Sequence, residues 1–275
     1  MTVGAADLPI VNGATRLFGI LGDPIEQVKS PEEITKRFRA RGANALCLPI
    51  HARLDDFDAV LRGLKATGNY DGFILTVPHK IRAMPYVDTL LPRAIRVGAV
   101  NVVRRERDGT WIGDMYDGLG LVGAVQQTGF DPKGKRAMVL GAGGAGSAIA
   151  DAIAEAGAAA VTVFDLEPGK ADALAGRLAK AHCSCRFNAG PATAEHQDLI
   201  VNATPTGMAP GDGMPAKFGP FDPNLVVADV VTKPDITPLI AHARGYGCRT
   251  STGAQMFNAQ GDMIASFLIP EVAHG

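Results

Sequence analysis

The chain has 275 residues, 47% of them hydrophobic, so it is long enough to bury one or two cores without a metal or a disulfide. Its 27 Lys and Arg residues are balanced by 28 Asp and Glu residues, and a formal net charge of -1 excludes a strong electrostatic attraction to nucleic acid or to an anionic membrane. A small molecule is therefore the expected partner. For the oligomeric state we expect a monomer or a homodimer.

The four cysteines indicate neither a disulfide framework nor a metal site. Cys47, Cys183, Cys185 and Cys248 lack the two-residue spacing of a zinc knuckle or a redox motif. No His, Asp or Cys cluster has ligand spacing, so no metal is expected. The first fifteen residues show no basic stretch followed by an apolar core, and no apolar run approaches the roughly 20 residues of a membrane span. These features predict a reduced, cytoplasmic setting.

Strand and helix patterns alternate from Arg16 onward. The first half predicts a strand at 17–21, a helix at 31–41, a strand at 45–50, a helix at 54–66, a strand at 72–76, a largely helical stretch at 80–91, and an edge hairpin of 100–105 with 111–113 that turns at Asp108 and Gly109. Such alternation predicts a mostly parallel sheet covered on both faces.

The second half continues the alternation. It predicts a helix within 118–135, strands at 137–140, 161–164, 199–202 and 226–230, helices at 147–156 and 237–244, and a closing helix at 255–268. We therefore predict an α/β fold with two lobes, residues 1–117 and 118–254, and a closing segment, 255–275, that packs back on the first lobe.

A glycine-rich loop opens the first strand-helix-strand unit of the second lobe. Gly141, Gly143 and Gly146 have the GxGxxG spacing, with Gly144 and Ala145 between them. The first glycine permits a tight turn, the second permits close approach of a pyrophosphate, and the third permits close packing of the helix. Such a loop also occurs where only helix packing is needed. The preceding strand, the following helix and an acid about twenty residues later favour dinucleotide binding.

Asp165 is that acid, and it bears on the choice of nicotinamide cofactor. Its carboxylate can accept hydrogen bonds from ribose hydroxyls and repels a 2′-phosphate, and no arginine follows in Leu166-Glu167-Pro168-Gly169. We therefore predict NAD in preference to NADP. The alternative is that Asp165 only caps the helix that follows.

Several short motifs follow one another in order over nearly the whole chain from Arg16. They are Gly22-Asp23-Pro24-Ile25, Lys29-Ser30-Pro31, Thr76-Val77-Pro78-His79-Lys80, Gly98-Ala99-Val100-Asn101, Gly113 to Gly120, Asn202-Ala203-Thr204-Pro205 with Gly207-Met208, Asp229-Val230-Val231 and Gln260. In these motifs the chain resembles the shikimate dehydrogenase family. The resemblance implies an N-terminal substrate lobe facing a C-terminal Rossmann lobe across a cleft. It also implies reversible hydride transfer between a nicotinamide cofactor and a ring alcohol or ketone of a shikimate- or quinate-like substrate.

The resemblance implies roles for individual residues as well. Lys80 and Asp117 would handle the proton that accompanies hydride transfer, because a ketone oxygen needs a proton donor when it is reduced. By residue type alone, Lys80 could equally be a solvated lysine and Asp117 a helix N-cap. The implied substrate-binding residues are Val28, Ser30, Thr76, Asn101, Thr232 and Gln260, and those implied near the nicotinamide are Asn202, Thr204 and Met208.

Three positions depart from the usual pattern of the family. Val28 replaces the first serine of a Ser-x-Ser pair, Ile74 replaces an asparagine, and Thr232 replaces a tyrosine. The serine pair and the tyrosine bind the shikimate carboxylate in that family, and each lost donor to a charged group costs about 1 to 3 kcal/mol. We therefore predict a substrate whose far end is less anionic, bulkier or more apolar than that of shikimate.

Two other functions stay open at this point. A related two-lobed dehydrogenase could act on a different small molecule, since fold similarity does not select a substrate. A non-catalytic sensor could bind a metabolite and a cofactor, but loss of Lys80 or Asp117 would be its expected mark. His79 and Tyr116 precede the implied catalytic residues Lys80 and Asp117 in sequence. We expect His79 to be a surface or capping residue and Tyr116 to pack its ring.

Overall fold

The structure, a computed structural model, describes residues 11–26 and 28–270, which divide into two units. Unit 1 contains the described residues up to Leu90, together with Val100–Gly113 and the chain from Gly261 onward. Unit 2 contains Leu91–Ala99 and Asp114–Gln260. The predicted first lobe includes residues 1–10 and the predicted closing segment includes 271–275, both of which lie outside the described residues.

Unit 1 is built on a mixed sheet. Its elements in chain order are β1 (Arg16–Gly22), α1 (Ser30–Ala40), β2 (Ala45–His51), α2 (Phe57–Ala66), β3 (Tyr70–Leu75), β4 (Thr89–Leu90), β5 (Val102–Arg105) and β6 (Trp111–Asp114). The strand order is β2-β1-β3-β5-β6-β4, in which β1 pairs in parallel with β2 and β3, and β5 runs antiparallel to β3.

The core of unit 1 follows from residue periodicity. Ile34 and Phe38 on α1 are four residues apart and both are buried, so they lie on one face of the helix. The Phe38 ring packs on that of Phe18 in β1, with ring centroids 4.8 Å apart. On the sheet, the Phe73 ring stacks on that of Trp111 at 4.9 Å. The aromatic residues Phe18 of β1, Phe73 of β3 and Trp111 of β6 are thus buried against neighbouring elements.

Unit 2 is a doubly wound sheet. Its elements are α3 (Pro92–Val97), α4 (Asp117–Gln126), β7 (Arg136–Leu140), α5 (Gly144–Glu155), β8 (Ala160–Phe164), α6 (Pro168–Ala181), β9 (Arg186–Ala189), β10 (Leu199–Asn202), β11 (Val226–Asp229), α7 (Pro238–Gly245) and β12 (Arg249–Ser251), with the start of α8 (Gly253–Leu268). The strand order is β12-β11-β10-β7-β8-β9, and the neighbouring strands pair in parallel. The order reverses between β7 and β10, which is where such sheets bind a dinucleotide.

Helix α3 lies within the predicted first lobe but groups with unit 2. The guanidinium of Arg96 binds both carboxylate oxygens of Asp151 on α5, at 2.7 and 2.8 Å. Arg177 on α6 donates to the carbonyl oxygen of Val97 at 2.7 Å. Asp151 is fully buried, so this bidentate pair satisfies a carboxylate that would otherwise lose its hydration.

The closing helix was predicted correctly, and its last half belongs to unit 1. There Asp262 pairs with Arg37 of α1 at 3.3 Å, and Arg104 of β5 donates to the carbonyl oxygen of Phe267 at 3.0 Å. A Cβ added at Gly261 would lie 2.6 Å from the Arg37 guanidinium carbon, so the arginine side chain packs directly over this glycine.

Two predictions in the first half were wrong. Residues 80–91 form turns, a 3-10 turn at Met84–Tyr86 and the short β4 instead of an α-helix, because Pro85 lacks an N–H and tolerates only a first-turn position. The hairpin of β5 and β6 turns at Gly109 as predicted, with φ of 89°, but β4 lies outside it at the sheet edge. Helices α3 and α6 and strands β4, β9 and β12 were not predicted. Among the described residues, no helix combines the length and apolar content that crossing a membrane requires.

Candidate functional site

The glycine-rich loop joins β7 to α5. Gly141 has φ of 102°, and a Cβ there would lie 2.9 Å from Cγ2 of Thr204. A Cβ on Gly146 would lie 1.8 Å from the carbonyl oxygen of Gly141, so only glycine allows α5 to begin this close to the strand. At Gly143, in contrast, a Cβ would meet no atom within 4 Å. Gly144 and Ala145 form the first turn of α5, whose N–H groups have no partner within the helix. The loop is therefore tight on its inner side and open on its outer side, which fits a pyrophosphate at a helix N-terminus.

Asp165 follows β8 as predicted, and backbone N–H groups occupy its carboxylate. Oδ2 accepts from Ala142 N at 2.7 Å, and Oδ1 accepts from Glu167 N at 2.9 Å. Asp165 thus braces the glycine loop against the start of α6. The side chain of Lys170, in the first turn of α6, binds the carboxylate of Glu167 at 2.6 Å. That hydrogen bond and the nearby charges of Glu167 and Asp165 raise the pKa of Lys170.

Asn202 ends β10 and is fully buried. Its Nδ2 donates to the carbonyl oxygen of Thr206 at 3.0 Å and to Oδ1 of Asp229 at 3.1 Å. Its Oδ1 accepts from the backbone N of Thr204 at 3.0 Å and from the Thr204 hydroxyl at 2.7 Å. Two donors and two acceptor positions are thus used within the protein. The geometry shows Asn202 shaping the turn at 203–206, and a direct contact with cofactor stays a prediction.

Asp229 ends β11 and is 1% exposed. The sequence motif Asp229-Val230-Val231 predicted no separate role for it. Its Oδ1 also accepts from Val231 N at 2.9 Å, and its Oδ2 accepts from the Thr237 hydroxyl at 2.7 Å. Burial raises the pKa of Asp229 to about 6, although its three hydrogen bonds act in the opposite direction. A signal for this residue was present in the sequence, since an acid at the carboxyl end of an apolar strand in such a sheet lies at the ligand-binding edge.

The segment around Met208 is held by a second carboxylate. Oδ2 of Asp212 accepts from Gly207 N and from Ala209 N, each at 2.9 Å. These hydrogen bonds lower the pKa of Asp212. Met208 itself is half-buried, as is Thr232 in the loop after β11. Both ends of the 203–212 loop are therefore fixed by side chains within unit 2.

In unit 1, Thr76, Lys80 and Asn101 come together at the carboxyl end of β3. Thr76 N donates to the carbonyl oxygen of Leu21 at 3.0 Å, and His79 N donates to that of Thr76 at 2.8 Å. The carbonyl oxygen of Lys80 accepts from Val100 N at 2.9 Å, and that of Asn101 accepts from Leu75 N at 2.8 Å. Lys80 is half-buried and Asn101 is 2% exposed. The two motifs are thus neighbours through backbone hydrogen bonds.

His79 is fully buried, so its expected surface or capping role was wrong. Its Nε2 lies 2.7 Å from the carbonyl oxygen of Ala52, and its ring stacks on Phe57 with centroids 4.3 Å apart. A carbonyl oxygen only accepts, so Nε2 carries the proton. Burial lowers the pKa of His79, which keeps the ring neutral beside Lys80. Sequence position alone gave no sign of this burial.

The departures from the family pattern in unit 1 lie near the same strand or at the start of α1. Ile74 is buried in β3, in register with Ile20 of β1 and Val102 of β5. Val28 is half-buried just before α1, and Ser30, the first residue of α1, is 5% exposed. The apolar side chain at 74 is therefore accommodated within the sheet.

Asp117 and Gln260 lie on two helices that cross closely in unit 2. Asp117 is the first residue of α4 and is 3% exposed, where the helix N-terminus stabilises a negative charge. One turn further on, a Cβ at Gly120 would lie 2.8 Å from Cβ of Gln260 on α8. Oε1 of Gln260 is buried and has no hydrogen-bond partner within residues 11–26 and 28–270. A substrate hydroxyl would satisfy that oxygen, so the side chain fits a ligand-binding role.

No group of three or more His, Cys, Asp or Glu side chains in the described part of the chain is placed to hold a metal ion. The expectation of no metal stays a prediction. Cys47, Cys185 and Cys248 are buried free thiols, and Cys183 is an exposed one.

Comparisons with known proteins match both units. The family model of the shikimate dehydrogenase substrate binding domain matches residues 20–103, and that of shikimate / quinate 5-dehydrogenase matches residues 124–209. The shikimate dehydrogenase (NADP(+)) of Moorella thermoacetica is 38% identical over 258 residues, which cover 91% of this chain and 87% of that protein. These matches confirm the resemblance that the motifs indicated.

Solved structures confirm the two-domain α/β fold. The shikimate 5-dehydrogenase of Thermus thermophilus in complex with NADP(H) and shikimate has a TM-score of 0.79 at 30% identity, covering 92% of each chain. The ligand-free 5-ketofructose reductase of a Gluconobacter strain has a TM-score of 0.80 at 28% identity, covering 94% of each chain.

The prediction of NAD in preference to NADP was wrong. The relative from Moorella thermoacetica is named for NADP(+), as are further relatives at 33% to 35% identity, and the Thermus thermophilus structure holds NADP(H). A cation, Lys170, follows Gly169 in the first turn of α6, and the prediction did not include it. Both oxygens of the Asp165 carboxylate also accept backbone N–H groups, so part of the acceptor capacity that the prediction assigned to ribose hydroxyls is used within the protein.

Proposed function

Because this chain belongs to the shikimate dehydrogenase family, we propose that it transfers hydride reversibly between NADP(H) and a polyhydroxylated substrate whose far end lacks the carboxylate of shikimate. It is an oxidoreductase of the shikimate dehydrogenase type. The observation that carries the proposal is the combination in unit 1 of a retained polar group, Thr76, Lys80 and Asn101, with apolar replacements at Val28 and Ile74.

Residues of unit 2 would hold the cofactor. The open outer side of the loop at Gly143 and the first turn of α5 fit its pyrophosphate. Lys170 would supply positive charge for a 2′-phosphate, exchanging its hydrogen bond with Glu167 for one with the phosphate. The nicotinamide ring, when bound, donates or accepts the hydride.

Lys80 and Asp117 are proposed to handle the proton. When a ketone is reduced, its carbon gains a hydride and its oxygen gains a proton, which the Lys80 ammonium donates; in the reverse direction the Lys80 amine accepts it. The Asp117 carboxylate, at the N-terminus of α4, is proposed to take part in the same proton transfer. Gln260, whose buried Oε1 has no hydrogen-bond partner among the described residues, would accept a hydrogen bond from a substrate hydroxyl.

The far end of the substrate is where this chain differs from the family. Val28 and Ile74 offer no hydrogen-bond donor, and the Thr232 hydroxyl is much shorter than the tyrosine it replaces. A carboxylate bound there would be poorly solvated, with a loss of about 1 to 3 kcal/mol for each missing donor. The name of the Gluconobacter protein, 5-ketofructose reductase, describes an uncharged polyhydroxylated ketone as substrate of that protein. Such a ketone needs no carboxylate-binding donors and would suit these replacements.

The proposal is tested by initial rates with NADPH and NADH on 3-dehydroshikimate, 3-dehydroquinate, 5-ketofructose and other uncharged polyhydroxylated ketones. We expect turnover on an uncharged ketone to exceed turnover on either acid, and Lys80→Ala to abolish it. Equal or faster turnover of the acids would refute the altered far end.

A double variant tests the role of the replaced donors directly. Val28→Ser combined with Thr232→Tyr restores two donors, so we expect the kcat/KM for shikimate to rise by at least about tenfold. The matched control is Thr110→Ser, on the exposed turn between β5 and β6, which should leave the rates with every substrate unchanged. No gain with shikimate in the double variant would place the cause of the altered specificity elsewhere.

A further inference from the structure

The buried hydrogen-bond network at the carboxyl ends of β10 and β11 lies in one half of the dinucleotide site. Asp165 after β8 marks the adenosine half, and the glycine loop after β7 marks the pyrophosphate. The nicotinamide half therefore falls on the side of β10 and β11. A Cβ at Gly146 would lie 3.5 Å from Cβ of Ala203, so the turn that follows β10 packs directly on the loop.

Asp229 joins the two loops on this side. It accepts three hydrogen bonds: from Asn202, which shapes the turn at 203–206, from Val231, which begins the next loop, and from Thr237, which caps α7. We infer that Asp229 is a positioning residue, whose carboxylate holds the 203–206 turn in the shape needed for the nicotinamide half of the cofactor. The expected effect on catalysis rests on the proposed function, whereas the hold of Asp229 on the 203–206 turn does not.

The three hydrogen bonds are strongest when Asp229 carries no proton, because a charged acceptor binds its donors more tightly than a neutral one. Val231 N–H and Asn202 Nδ2–H both point at Oδ1, so a proton on Asp229 must sit on Oδ2 and face the Thr237 hydroxyl. The Thr237 oxygen already accepts from Ile240 N at 3.3 Å. Protonation therefore turns the hydroxyl hydrogen of Thr237 away and reverses this hydrogen bond, so that Oδ2–H donates to the Thr237 oxygen. Oδ1 keeps its two donors but becomes a weaker, uncharged acceptor, which loosens its hold on Asn202 and the β10 turn.

This carboxylate titrates close to neutral pH, because burial raises its pKa to about 6. The ionisable side chains on the elements packed against β11 are Asp117 on α4, His242 and Arg244 on α7, and Arg249 on β12, with Lys233 and Asp235 in the loop between β11 and α7. None of these six contributes to the pKa of Asp229, whose causes are burial and its three hydrogen bonds. Its protonation state is therefore set locally.

The experiment uses the full chain without cofactor as well as with it. The side-chain amide signals of Asn202 are followed by nuclear magnetic resonance between about pH 4.5 and 8, and we expect them to shift with a midpoint near 6. Asp229→Asn copies the protonated acid in shape and hydrogen bonding, so its Asn202 signals should stay at the low-pH position throughout. Asp212→Asn is the matched control, because Asp212 holds the same loop and its pKa is lowered. It should leave the titration of Asn202 in place.

With NADPH and a ketone that the parent chain reduces, we expect the kcat of Asp229→Asn at pH 8 to be lower than that of the parent by about tenfold or more. The parent's kcat should fall as the pH is lowered through about 6, and this fall should be absent from the variant. The Kd for NADPH should change by less than about threefold, since pyrophosphate and adenosine contacts are unaffected. Asn202 signals that do not move in the parent chain, or an unchanged kcat in the variant, would overturn the inference. If no substrate is turned over, the proposed function fails, while the magnetic resonance titration still decides whether Asp229 controls the turn.

Discussion

Replacing Asp229 with asparagine should make the protein more stable at pH 8 and less active, an opposition that a purely structural residue would not show. Burial raises the pKa of this carboxyl from 3.8 to about 6, which means that the folded chain binds this proton more tightly than the unfolded chain. Stability therefore falls as pH rises from about 4 to about 6, and the whole loss is present above the folded pKa. The difference corresponds to about 3 kcal/mol at pH 8.

Asparagine cannot ionise, so the Asp229→Asn variant avoids this loss while keeping the size of the side chain. We expect its free energy of unfolding to exceed that of the parent by about 2 to 3 kcal/mol at pH 8, and to equal it within about 1 kcal/mol near pH 4.5. Urea unfolding at the two pH values, followed by circular dichroism, measures both differences. A variant that is less stable than the parent by the same amount at both pH values would refute the reasoning, because its cost would then be lost packing or hydrogen bonding.

Three further predictions concern the proposed catalytic and cofactor-binding residues. Lys80→Ala should lower kcat by about 100- to 10,000-fold with little change in NADPH affinity by fluorescence titration, and a smaller loss would argue against a role in proton transfer. Lys170→Ala should weaken NADPH binding about tenfold and leave NADH binding unchanged, whereas an equal effect on both would exclude a role at the 2′-phosphate. Gly146→Ala should prevent stable folding of unit 2, since its Cβ would lie 1.8 Å from a carbonyl oxygen, while Gly143→Ala should fold normally and bind NADPH more weakly. Thermal unfolding and NADPH titration distinguish these two glycine variants, and normal folding of the first would contradict the geometry.

The sequence was a good guide where a local pattern imposes one local conformation. The spacing of Gly141, Gly143 and Gly146 after an apolar strand predicted both the loop and the helix that follows it, because only glycine permits the left-handed turn and the close helix approach. The order of motifs from Gly22 to Gln260 indicated the family, and the comparisons confirm it. The cytoplasmic location and the oligomeric state stay predictions.

Prediction from local sequence failed where a proline or a long-range contact determines the conformation or the partners of a residue. The helical pattern over 80–91 is interrupted at Pro85, which has no N–H to donate to a helical hydrogen bond. The cofactor prediction rested on Asp165 and on the absence of an arginine in residues 166–169. The Asp165 carboxylate accepts hydrogen bonds from Ala142 N and Glu167 N, and the cation Lys170 follows five residues after it. The effect of a charged side chain on ligand binding depends on its hydrogen-bond and ion-pair partners, and the folded chain determines which groups these are.

The sequence by itself determined most of the strand and helix alternation and the glycine-rich loop, because these depend on residue type and spacing along the chain. Lys80 and Asp117 became candidates through the order of motifs that resembles the family. Only the tertiary structure decided that His79 is a buried neutral ring, that Asn202 is saturated within the protein, and that Asp229 joins two loops. The physical reason is that burial and hydrogen-bond partners arise from segments distant in sequence. Desolvation by those segments, and not the identity of the residue, raises the pKa of Asp229 to about 6.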